Sequence, residues 1–204
     1  HLYPLQTAWL NGMTAFDDPA AQPTAVDGLE AALTLEPTWD SGWMLLAGLY
    51  EQDGRIDEAL AALGRAGDIS TASGADWNWA RVADAHDAAP DEAIIAAYTR
   101  ALGQTQTPFS PSWDDTPRRA QALEAFYAAS SLRMQYLLAE AFFPERLAAL
   151  VPANPLTADE WWITGQHALM TEDDAQAAWE AFTQAVRANP NREIGEYYAA
   201  RARA

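Results

Sequence analysis

Apolar positions along the chain recur at helical spacing rather than in strand-like alternation. Trp43, Leu46, Ala47 and Tyr50 fall at i, i+3, i+4 and i+7, which places them on one helical face. Asp53-Gly54 interrupts the pattern as a turn does. Asp57-Glu58 then opens a second helix, with acids at the end where the backbone dipole is positive. Ala59, Leu63 and Ala66 form the apolar stripe of that helix. Residues 42–66 are therefore predicted to be a helix–turn–helix, its alanines permitting close approach and its Trp and Tyr filling the space between.

The unit recurs. Trp9, Trp43 and Trp77 stand 34 residues apart. One period upstream lie Trp9, Gly12, Met13 and Phe16, a turn at Asp17-Asp18-Pro19, then Ala25, Leu29 and Ala32. Pro37 falls where the second helix should stop. Near the C-terminus the same order returns as Trp162, Gly165, Gln166 and Leu169, a turn at Glu172-Asp173-Asp174, then Ala178, Phe182, Ala185 and Pro190.

Between these blocks the pattern loosens. Residues 91–102 read as a second helix, with Tyr98 and Ala101 one position late, so the turn at Ala88-Ala89-Pro90 should differ in length. Residues 104–117 carry three prolines and read as an inserted loop. A single long helix is expected over 116–143, carrying Leu123, Phe126, Tyr127, Ser130, Met134, Leu137, Leu138 and Phe142 as its stripe. A shorter helix is expected over 145–151, stopped by Pro152 and Pro155. In register, 124–157 would be a degenerate unit with Tyr127 in the Trp place, and 193–204 a terminal helix covering the last apolar face. The predicted organisation is three units at 6–39, 40–73 and 74–107, an insertion and helix start at 108–123, the degenerate unit, a last unit at 159–192, and the cap.

These residues carry a resemblance to the tetratricopeptide repeat family. The order of a Trp, a Leu-Gly-like pair, a Tyr-like aromatic, then Ala, a Phe-like residue, Ala and Pro matches that family's repeat. The resemblance implies an all-α, right-handed α-solenoid of about five stacked hairpins with a C-terminal capping helix. It also implies that the first helix of each pair lines a concave groove. Positions two before and one, five and eight after the Trp would face into it. The implied lining is Thr7, Leu10, Thr14 and Asp17 in the first unit, Ser41, Met44, Gly48 and Glu51 in the second, and Glu160, Ile163, His167 and Met170 in the last. In the third unit the one-residue slip leaves Asn78 or Trp79, Val82 or Ala83, and Ala85 or His86. Of these, Leu10, Asp17, Met44, Gly48, Glu51, Trp79, His86, Glu160, Ile163, His167 and Met170 form the expected contact set. The implied function is non-enzymatic: a groove for a peptide or protein segment. The family's carboxylate clamp for chaperone tails is excluded, because the chain has no Lys and the matching positions hold no Arg.

Charge narrows the partner class. Formal net charge is −17, from 29 acidic and 12 basic residues, all of the latter Arg. Such a surface repels phosphate backbones and anionic membranes, excluding nucleic acid as a partner and favouring a basic one. No stretch reaches the ~18 consecutive apolar residues of a membrane helix. The first residue is His1, which reads as a trimmed start, and one alternative is that these residues are the interaction region of a larger protein. Cysteine is absent, which removes disulfides and thiolate metal sites.

Catalytic chemistry finds little purchase. His86 lies between Asp84 and Asp87, yet no His-x-x-x-His or His-Glu-x-x-His spacing sets two imidazoles on one face. Gly-x-Ser-x-Gly is absent. Asp17-Asp18, Asp114-Asp115 and Asp173-Asp174 sit in expected turns, where carboxylates cap and solvate. No cofactor or metal is expected. The alternative is a helical enzyme or a metal- or cofactor-binding protein with its pocket near His86 or residues 104–117.

Overall fold

A computed structural model describes residues 2–70, 74–104 and 116–190, with side chains from Pro4 onward. Every regular element among the described residues is helical, as the periodicity predicts. In order these are α1 (Leu2–Ala15), α2 (Gln22–Leu35), α3 (Asp40–Gln52), α4 (Ile56–Ile69), α5 (Ala75–His86), α6 (Asp91–Gln104), α7 (Pro117–Ala129), α8 (Leu132–Phe142), a 3-10 turn (Pro144–Arg146), α9 (Leu147–Leu150), α10 (Ala158–Met170) and α11 (Ala175–Ala188). Most of the expected 104–117 insertion and the expected 193–204 cap lie outside the described residues.

The chain forms two compact units, His1–Phe126 and Tyr127–Ala204. In the first, three helical hairpins stack as an α-solenoid does: α1 on α2, α3 on α4, α5 on α6, with α2 and α1 also against α3 and α4 against α5. Turn chemistry sets the hairpins. Gly54 takes φ 73° between α3 and α4, a conformation glycine adopts without steric cost. Asp87 takes φ 50° after α5, and the Ala88 N–H then donates back to the Ala83 carbonyl at 2.9 Å. Leu29, Leu46, Leu49 and Ala59 meet in the core, all at most 1% exposed. Gly48 lets the hairpins close up, since a Cβ there would lie 2.7 Å from the Phe16 ring.

The expected single helix over 116–143 is two helices. Ser130 closes α7, and Ser131 is extended and caps α8 by accepting a hydrogen bond from the Met134 N–H. A serine at this position offers the backbone a cap that competes with helix continuation.

The start of α7 is tied to the third hairpin by charge. Arg118 donates to Asp84 at 2.9 Å, to Asp87 at 2.6 Å and to Asp91 at 2.8 Å. Asp84 also accepts from Thr116 at 3.0 Å and from the Tyr98 hydroxyl at 3.3 Å. Burial pushes the Asp84 carboxyl up, but the hydrogen bonds from Arg118, Thr116 and Tyr98 together hold it below the usual carboxylate range. A depressed folded-state pKa adds stability above the unfolded value of about 4 and loses it as pH falls through the folded value. Asp84→Asn should therefore lower Tm at pH 7, and the gap from the parent chain should shrink steadily below about pH 4. A pH-independent gap in thermal melts would refute this account.

In the second unit α10 packs on α11 and α8 lies against α10. Tyr136, Trp162, Ile163, Ala178, Phe182 and Ala185 form its core.

Candidate functional site

The expected groove residues of the first unit lie on or beside α1, α3 and α5, where the structure holds an apolar depression and a separate polar cleft. In the first, Trp9 and Trp39 stand 6.0 Å apart at 48°, and with Leu5, Gln6, Leu10 and Ser41 they bound a depression of about 580 Å³. Trp9 is 36% exposed and Leu10 65%, so a Trp read from the repeat as core instead presents itself to solvent. Trp43 is oriented differently, its indole N–H donating to the Pro37 carbonyl at 3.0 Å. Asp17 is exposed in the turn after α1, its N–H on the Thr14 carbonyl at 3.1 Å.

At the polar cleft, Met44, Gly48 and Glu51 of α3 face Asn78, Arg81 and Val82 of α5 across about 110 Å³. Of the third unit's alternatives, Asn78 and Val82 border this cleft, Val82 from the core at 1% exposure. Glu51 is not a free carboxylate awaiting a basic ligand. Arg81 grips it with both terminal nitrogens, at 2.8 Å and 2.6 Å, and His86 Nε2 lies 3.8 Å away. The Arg81 hydrogen bonds outweigh burial and hold the Glu51 carboxyl below its ordinary range. The bidentate pair links α3 to α5 and leaves this cleft nearly neutral.

Trp79 belongs elsewhere. It lines a separate cleft with α4 and α6, and it packs against the first core rather than facing the α3–α5 cleft. The residue in its expected place is Asn78, one position earlier and so about 100° round the helix.

In the second unit the expected lining takes other roles. Ile163 is 0% exposed, in the core with Tyr136 and Phe182, and presents nothing to a ligand. Glu160 closes a capping box: its carboxylate accepts from the Leu156 and Thr157 N–H groups, both at 2.8 Å, and these bonds hold its pKa low. His167 is half-buried, Nδ1 at 3.5 Å from the Tyr136 hydroxyl and Nε2 at 4.0 Å from Glu172. Met170, 59% exposed, stays open to solvent.

Arg81 and Trp39 were not among the expected contact residues, and Asn78 was only the alternative to Trp79. An acid on one first helix and a guanidinium on the next, near the 34-residue period apart, is the signal for the Glu51–Arg81 pair. Thr157-x-x-Glu160 was legible as a capping box from its spacing alone. Asp84 and Asp87 are held by Arg118 while His86 faces Glu51, so the three do not converge. Among the described residues there is no group of three or more His, Asp or Glu side chains arranged to hold a metal. No described helix is long and apolar enough to cross a membrane.

The fold defines an all-α protein of stacked helical hairpins. No protein-family model matches the chain, and no curated protein matches it in sequence. Among solved structures, the crystal structure of MamA aligns over 90% of this chain and 96% of its own, with 16% identity and a TM-score of 0.46.

Proposed function

We propose that the chain is a tetratricopeptide-like scaffold, without catalytic activity, that holds an extended or helical segment of a partner protein along α1, α3 and α5 of the first unit. The observation that carries this is a pair of openings on these helices, the Trp9–Leu10–Trp39 depression and the Met44–Glu51–Arg81 cleft. Exposed aromatic and Met surface is a poor solvent face but a good anchor for an apolar side chain. The partner segment is basic. Since Arg81 neutralises Glu51, this preference rests on the surrounding field of a chain with charge −17 and on Asp17 at the groove's end.

A peptide array varied in net charge and apolar anchor tests the proposal. Peptides combining an aromatic or aliphatic anchor with Lys or Arg should bind best, and less well as salt rises. Leu10→Asp together with Met44→Asp should weaken binding by roughly 30-fold or more, the scale of losing a hot spot, while the far-UV helical signal holds. Undiminished binding by the double variant, or equal binding of acidic peptides, would reject it.

A further inference from the structure

The second helices of the first unit border a cleft distinct from the one between α3 and α5. Between α4, α5 and α6 lies a cleft of about 470 Å³, within the range of small-molecule sites. Trp79 of α5 lines it. Its walls are low because α4 contributes Gly64 and Gly67 there, and α6 contributes Ala93 and Ala96. Packing does not require Gly64: a Cβ at that position would meet nothing within 4 Å. A glycine inside a helix is disfavoured relative to alanine, and here it leaves the α4 wall of the cleft open.

The electrostatics select the occupant. Asp76 accepts from Arg100 at 3.0 Å and 2.7 Å and from Gln104 at 2.7 Å, so the cation on the rim is already matched. Asp68, exposed on the same rim, makes no ion pair among the described residues and leaves the cleft net negative. Asp68 and Gln104 also stand at the C-terminal ends of α4 and α6, where backbone carbonyls favour positive charge. An anion would meet Asp68 and those carbonyls, and a hydrated metal ion gains little from an indole. A soft organic cation suits both the indole of the lining and the carboxylate on the rim.

We propose that this cleft binds a small molecule bearing an alkylammonium head group, seated on Trp79 with Asp68 as counter-ion. Choline is the probe, 3,3-dimethyl-1-butanol its neutral isostere, and the readout is the indole N–H resonance of Trp79 in the ¹⁵N-labelled full chain at constant ionic strength. Choline should shift that resonance saturably and the isostere should not. Gly64→Leu, a helix-favouring change into open space, should fill the cleft and abolish the response while the remaining spectrum is unchanged. Asp68→Asn should weaken choline binding by about fivefold. A non-saturating response, an equal response to the isostere, or full binding by Gly64→Leu would overturn the site.

Discussion

Phe182→Ala should destabilise the second unit by about 3–5 kcal/mol, the range for emptying a buried aromatic site. Phe182 is fully buried on α11, and its ring lies where a side chain at position 165 of α10 would go: a Cβ on Gly165 would be 2.7 Å from Phe182 Cε1. Glycine on one helix and phenylalanine on the other are thus a single contact that draws α10 and α11 together. Truncation leaves a void that rigid helices close only in part. Urea unfolding of the full chain, followed at the Trp162 indole resonance, should show an early transition in the variant. Phe182→Leu, which keeps most of the volume, should cost less than about 1.5 kcal/mol. A loss below 1 kcal/mol for the alanine change would mean that the second unit does not depend on this packing.

Tyr98→Ala should have a comparable effect on the first unit, about 3–4 kcal/mol on the same scale. Tyr98 is fully buried on α6, its ring 5.2 Å from that of Trp77. Its hydroxyl donates to Asp84 and accepts from Arg119 Nε at 3.1 Å, and the Arg119 guanidinium lies 4.8 Å over Trp77. One phenol therefore joins α5, α6 and α7, and burial pushes its pKa up, keeping it protonated as the donor this network needs. Tyr98→Phe separates the two contributions. It keeps the ring and should cost only about 0.5–1.5 kcal/mol, the worth of the hydroxyl's hydrogen bonds. Chemical denaturation of both variants measures the difference, and equal losses would show that the ring contributes nothing beyond the hydroxyl.

The helical hairpins were legible because each needs only local information. Trp43, Leu46 and Tyr50 report one face of α3, Gly54 a turn, and Ala59, Leu63 and Ala66 the matching face of α4. The long helix over 116–143 was misread because its apolar stripe continues smoothly past Ser130. The break comes from a hydrogen bond between the Ser131 side chain and a backbone N–H, to which periodicity is blind. At the candidate site, Met44 and Gly48 border one cleft, four residues apart on α3, a relation that helical spacing alone makes legible.

What the sequence determined by itself is the repeating amphipathic unit and the acidic surface, both sums over residues in known order. Tertiary structure decided how each helix is rotated about its axis. A slip of one residue turns a helix by about 100°, enough to put Asn78 in the α3–α5 cleft and Trp79 in the one lined by α4 and α6. The same rotation brings Arg81 onto Glu51, thirty residues away in sequence, and turns an apparent ligand into a brace between helices. In the second unit, packing against α8 and α11 takes Ile163 out of reach, and the capping box commits Glu160. Helix phase is set by how neighbours interlock, and that information is distributed across the stack rather than written in any one repeat.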